Sequence, residues 1–143
     1  MDVSELRKRI LRALDDARQE ASARRTHVDE ARAAYERFLA DRAVPLMRQA
    51  AMVLTAAGLP FQLHTPASGA RLAHDQQPLT FLEIELDVAG PRPQVIGRVS
   101  VGRGRAGQVV TERPIAEKPV VELSESDVSE FLVTEIPRLV VRP

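Results

Sequence analysis

The chain has 143 residues, with 20 basic and 20 acidic side chains and no cysteine. This length is typical of one domain that can bury a hydrophobic core, and the balanced charge gives the chain no general attraction to nucleic acid or to an acidic surface. The lack of cysteine excludes disulfides, thiolate metal sites and a cysteine nucleophile.

The first third of the chain carries an apolar stripe with a seven-residue repeat. Counting from Val3 in alternate steps of four and three residues, only Arg7 and Arg24 are not apolar up to position 38. A mean spacing of 3.5 residues keeps one side of a helix facing a partner helix over many turns. Residues 3–43 also lack glycine and proline, so we predict a long helix, or two stacked helices, that packs against another helix. The predicted interface residues are Ile10, Leu14, Ala17, Ala21, Val28, Ala31, Tyr35 and Phe38.

The sequence contains two positions at which this helix could be interrupted. Thr26 is followed three residues later by an acidic residue, as in an N-cap, so a helical hairpin broken near residues 25–27 is the alternative to one long helix. Pro45 lacks a backbone N–H and clashes with the preceding turn, which predicts a kink or an end there. A second helix is predicted to begin at Pro45 and to end before Gly58, which suits a left-handed C-cap.

After Gly58 the hydrophobic period changes from helical to two, which predicts β-strands. The clearest strand is Thr80–Val88, where aliphatic residues alternate with acidic ones as in a sheet with one solvated face. Short connections between the strands predict an antiparallel meander of four to five strands. The predicted strands are 61–63, 70–74, 80–88, 95–101 and 108–112, and 120–123 is considered as a further edge strand.

The last segment predicts a helix. Ser124 is followed by two acidic residues in the first turn, and this combination is typical of a capped helix N-terminus. The predicted class is therefore α+β, with a long N-terminal helix or helical hairpin, an antiparallel meander and a C-terminal helix. We expect a helical, coiled-coil-like arm over residues 1–58 and a sheet with the C-terminal helix over residues 59–143, forming one compact domain with the arm.

The residues on either side of the stripe indicate the orientation in which two copies of the helix would pair. Arg18, Arg25 and Arg32 follow one flank, and Ala13, Glu20 and His27 follow the other. In an antiparallel self-pair the arginines would face arginines, whereas in a parallel pair Glu20 reaches Arg25 of the second copy. Self-pairing is therefore predicted to be parallel. The alternative is that the stripe covers the protein's own sheet or the second helix, and Leu6 and Leu11 widen it as in a core-facing helix.

The segment Gly102–Gly107 formally matches G-x-G-x-x-G. A strand-like sequence follows it instead of a helix, so no helix N-terminus is available for a pyrophosphate. What remains is a glycine-rich turn with nearby basic residues, which could contact an anion or nucleic acid. The bland alternative is cross-strand pairing of Arg98 with acidic residues at 83, 85 or 87. The possible contact residues are Arg98, Arg103, Arg105 and Arg113.

No catalytic site, metal site or cofactor is predicted. His64 and His74 flank a turn, but the sequence offers no third convergent ligand for a metal ion. The N-terminus has no apolar run typical of a secretory signal, so the cytoplasm is the default compartment and no membrane association is expected. The leading hypothesis is a non-enzymatic interaction protein that uses its N-terminal helix to form a homo-oligomer, a dimer above all, or to bind a partner protein. Nucleic-acid or anion binding and an unrecognised enzyme are the alternatives.

Overall fold

The computed structural model describes residues 2–141. The helices are α1 (Val3–Phe38), α2 (Val44–Ala56) and α3 (Glu125–Val140), with a π-helical turn at Leu39–Ala43. The strands are β1 (Phe61–His64), β2 (Gly69–His74), β3 (Phe81–Asp87), β4 (Gln94–Gly102) and β5 (Gln108–Pro114). The predicted α+β class is confirmed: a long N-terminal helix, an antiparallel five-stranded sheet and a C-terminal helix.

The first helix is continuous through residues 25–27, so the hairpin alternative is wrong. The Thr26 hydroxyl donates to the carbonyl of Ser22 at 3.1 Å, one turn earlier in the same helix, instead of capping a new one. The helical path also continues to Pro45 through the π-helical turn, in which the Val44 N–H donates to the Leu39 carbonyl. Pro45 therefore lies in the first turn of α2, where its missing N–H costs little.

The sheet is a meander in the order β1-β2-β3-β4-β5, with every neighbouring pair antiparallel. Leu72, Leu82 and Val99 are register partners on three adjacent strands, and all are buried. This apolar face forms one core with buried residues of all three helices, among them Phe38, Met47 and Phe131. The alternation along the strands thus directs one face to the core, as the period of two predicts.

The suggested edge strand at 120–123 is wrong. Val120–Glu122 forms a short 3-10 turn after Pro119, with the Glu122 N–H donating to the Pro119 carbonyl at 3.0 Å. Both Val120 and Leu123 are buried in the core. Apolar residues three positions apart lie close to one side of such a turn, so burial of this pair does not require a strand.

Contacts divide the chain into two units, one up to Glu30 and one from Ala31 onward. Residues 3–30 of the first unit are a single stretch of α1, and their side chains are exposed except for a half-buried Val28. The second unit holds the end of α1, the other helices, the sheet and the core. No helix within residues 2–141 combines the length and the apolarity that crossing a membrane requires.

Candidate interaction surface

The first four turns of α1 expose a cluster of large apolar side chains. We call this cluster the N-terminal stripe, and its side chains are 46% to 80% exposed. At about 100° per residue its members fall within an arc of about 140° on one side of the helix. Single exposed aliphatic residues are normal on a soluble protein, but a contiguous row is typical of a binding surface. The members are Val3, Leu6, Ile10, Leu11 and Leu14.

The middle of the predicted interface is narrow. Ala17 and Ala21 are exposed and Val28 is half-buried. Small side chains let two helices approach closely, but each contributes little buried apolar area. The energy of any contact along α1 would therefore come mainly from the N-terminal stripe.

The last part of the predicted interface lies inside the second unit. Tyr35 and Phe38 are about 5% exposed and belong to the core, and Ala31 packs against it. The Tyr35 hydroxyl donates to the Ser68 carbonyl at 3.0 Å, and the Ile84 carbonyl lies at 3.4 Å. Burial raises the pKa of this phenol well above its ordinary value, with a further rise from the charge of Glu85. The structure therefore separates the predicted stripe into an exposed beginning and an end that this chain covers itself.

The solvated face of the sheet carries a row of alternating charges across four strands. Arg71, Glu83, Arg98 and Glu112 are successive register partners on β2, β3, β4 and β5. The Arg98 guanidinium binds Glu83, Glu85 at 3.1 Å and Glu112 at 2.7 Å, and hydrogen bonds to Glu83 and Glu112 raise its pKa above the ordinary value. The geometry thus shows cross-strand pairing of Arg98 with acidic residues, which was the alternative to a contact with an anion or nucleic acid.

The four arginines of the predicted basic hairpin do not form one patch. Arg113 follows Glu112 on β5 and therefore points to the other face, where its guanidinium stacks 4.7 Å above the ring of Phe131. It also donates to Glu135 at 2.8 Å. Arg103 and Arg105 lie exposed at the β4–β5 turn, which Gly104 and Gly107 form at positive φ. Of the four residues, only these two are close together, exposed and without an ion pair among residues 2–141.

The side chain of His74 is held by contacts within the protein. Its ring packs edge-on against Phe61 at 5.2 Å, and its Nδ1 accepts a hydrogen bond from the Gln76 N–H at 3.1 Å. Within the described residues, no group of three or more histidine, aspartate or glutamate side chains is placed to hold a metal ion.

Comparisons of the chain with protein-family models, curated proteins and solved structures gave no match. Candidate functions are therefore inferred from the surfaces described above. The N-terminal stripe is the largest cluster of exposed apolar side chains on one element. Leu6 and Leu11 belong to the stripe although they fall outside the seven-residue repeat. Their signal in the sequence is that they lie on opposite flanks of that repeat.

Proposed function

We propose that this protein is a non-enzymatic interaction protein that forms a homodimer through the N-terminal stripe of α1, as a short parallel coiled coil. The observation that carries the proposal is the exposure of five large apolar side chains on one side of four helical turns. Residues 2–30 have no core of their own, so this part of α1 lacks the tertiary packing that supplies most of the stability of helices in proteins. Pairing with a second copy would cover the stripe and stabilise the helix at the same time.

The expected dimer is weak. Fully burying a leucine, isoleucine or valine contributes about 1.5–3 kcal/mol, and these side chains are already partly covered by their own helix. The total from two copies is of the same order as the cost of association, which is about 4–15 kcal/mol. The net free energy of dimerisation is therefore small, and the fraction of dimer should rise with protein concentration.

A parallel arrangement makes best use of the flanking residues. In a parallel coiled coil, a residue on one flank meets the residue five positions later on the opposite flank of the other helix. That rule joins Glu20 to Arg25 of the second copy, and it joins Leu6 to Leu11 of the second copy, so both a charge pair and an apolar pair are satisfied. An antiparallel pair would instead align the arginines at 18, 25 and 32 with each other.

The test is the molecular mass in solution at several concentrations, by sedimentation or light scattering. The wild-type chain should rise from 15.8 kDa toward twice that value as concentration increases. Leu14→Asp should stay at the monomer mass, because it places a charge on the midline of the stripe, where position 14 faces its counterpart in a parallel dimer. Val133→Asp is the matched control, since Val133 is a 69% exposed aliphatic residue on α3. A wild-type chain that is monomeric at every concentration overturns self-association, and a helix of a different protein would then be the remaining occupant to test.

A further inference from the structure

A cleft of about 990 Å³ lies within the second unit, between the far end of the β4–β5 hairpin and the last turn of α3. Its floor is apolar and includes Val99, Val101 and Val109, and Leu139 of α3 forms part of one wall. Val109 points to the helix side of the sheet, as Val99 and Val101 do, and yet it remains 47% exposed. The helix thus leaves the end of this hairpin uncovered, and the volume is at the upper end of the range that small-molecule sites occupy.

Among the described residues, the charged side chains around this cleft have one sign. Arg103 and Arg138 line it together with His74, and no carboxylate side chain within residues 2–141 does. Arg138 donates to the buried Glu135 at 2.9 Å, but Glu135 also accepts from Arg113, so this trio carries one excess positive charge. The Arg103 guanidinium has no side-chain hydrogen bond or ion pair within residues 2–141.

We propose that this cleft binds a small amphiphilic monocarboxylate, with an unbranched aliphatic chain on the valine floor and the carboxylate at Arg103 and Arg138. An arginine guanidinium can pair with a carboxylate through two parallel hydrogen bonds. An uncharged apolar molecule would form no ion pair with these arginines, and a small inorganic anion would leave the apolar floor exposed to water. The occupant is therefore a free fatty-acid-like molecule from solution. This site goes beyond the proposed dimer and does not depend on it.

The probe is sodium decanoate, kept below its micelle concentration and titrated into the full chain with ¹³C-labelled valine and leucine methyl groups. Decanoate should shift the NMR signals of Val99, Val101 and Val109 along saturating curves. Decanol and decyltrimethylammonium are the comparison ligands, because they keep the chain and replace the carboxylate by a neutral or a positive group. Both should bind at least about tenfold more weakly, since hydrogen bonds to a charged group are the stronger ones.

Two pairs of variants locate the site. Val109→Glu should abolish decanoate binding, while Val110→Glu should leave it unchanged, because Val110 is similarly exposed at 42% but points to the opposite face of the sheet. Arg103→Ala should weaken binding about tenfold, whereas Arg92→Ala, an exposed arginine outside the cleft lining, should not. The proposal is overturned if decanol binds as tightly as decanoate, if both valine variants act alike, or if no methyl signal in the cleft responds.

Discussion

The ring of Phe131 on α3 packs against Gly97 on β4 in the space that a β-carbon at position 97 would occupy. Phe131 is among the most deeply buried large side chains, and Gly97 lies between Val95 and Val99 on the core face of the strand. Glycine weakens a strand interior on entropic grounds, so its presence there indicates a close approach from another element. The missing side chain is what lets α3 lie directly on the sheet.

Gly97→Ala should therefore destabilise the fold. The added methyl group has to displace a buried aromatic ring in a close-packed core, which costs about 1–3 kcal/mol. Urea denaturation of the variant measures this free energy. Gly90→Ala is the matched control, since the nearest atom to its new β-carbon would be the Arg92 carbonyl oxygen at 4.0 Å. Adding Phe131→Leu to Gly97→Ala should restore part of the loss, and a simple sum of the two losses would show that the ring is not what position 97 meets.

Local sequence signals predicted most of the fold. The meander follows from alternation and short turns, and α3 follows from a capping box in which Ser124 and Asp127 exchange hydrogen bonds. The second helix follows from the proline signal, since α2 begins at Val44 with Pro45 in its first turn. The predicted edge strand at 120–123 was wrong because Pro119 starts a 3-10 turn whose apolar residues resemble a short strand.

The candidate surfaces were predicted less completely, for a physical reason. An apolar stripe with a seven-residue repeat has the same sequence pattern whether it packs against its own chain or against another protein. Only the tertiary structure shows that Tyr35 and Phe38 are covered by this chain, while Ile10 and Leu14 are exposed. The cleft could not be predicted, because its lining comes from segments far apart in the sequence.

The cap of α3 should make the stability sensitive to acid. Burial alone would raise the pKa of Asp127, but hydrogen bonds from the Ser124 N–H, Lys118 and the Ser124 hydroxyl outweigh it and lower the pKa below the ordinary value of 3.8. A carboxyl group with a lowered pKa in the folded state stabilises the fold above its unfolded pKa, and this contribution is lost as the pH falls through the folded pKa.

The variant Asp127→Asn tests this dependence. It should be less stable than the wild type at pH 7 by about 1 kcal/mol, because it loses the charge at the cap. The difference should begin to shrink as the pH falls below about 4, because the carboxyl group of the unfolded chain binds a proton there, and it should be lost as the pH falls through the lower folded pKa. Urea denaturation at pH 7 and pH 3 measures both values. Glu125→Gln, in the same helical turn with an exposed side chain, controls for the general loss of one negative charge, and an equal pH profile for both variants would contradict the role of Asp127.

Arg98 should matter more for the stability of the fold than for binding an anion or nucleic acid. Its removal leaves Glu83, Glu85 and Glu112 close together on one face, with Glu83 only 11% exposed and reached by Arg71 alone. We expect Arg98→Ala to cost about 1–3 kcal/mol of unfolding free energy, because a nearly buried carboxylate loses a charged partner. Arg103→Ala, at the exposed turn, should stay within about 0.5 kcal/mol of the wild type. Thermal or urea unfolding compares the two, and equal stabilities would mean that the charge row contributes nothing.

Arg98 should contribute to the stability of the fold and Arg103 should not, and this difference determines which variants should test nucleic-acid binding. A variant that removes Arg98 weakens the fold as well as the charge, so any loss of binding would be ambiguous. Arg103→Ala with Arg105→Ala removes two exposed charges at the turn and leaves the ion pairs of the sheet in place. If the chain binds DNA at low salt, this double variant should bind more weakly and with a shallower salt dependence. Binding that the double variant retains in full would exclude the hairpin turn as the contact.

The orientation of the proposed dimer can be determined by cross-linking, because the chain has no cysteine of its own. In a parallel dimer in register, position 14 of one helix faces position 14 of the other, within the Cα separation of about 4.4–6.8 Å that a disulfide requires. Leu14→Cys should therefore form a covalent dimer under mild oxidation, as measured by non-reducing electrophoresis. Arg12→Cys is the control, since position 12 lies on the opposite side of the same helix. Equal yields from the two variants would indicate random collision, and a dimer by mass that Leu14→Cys fails to cross-link would have to be antiparallel or out of register.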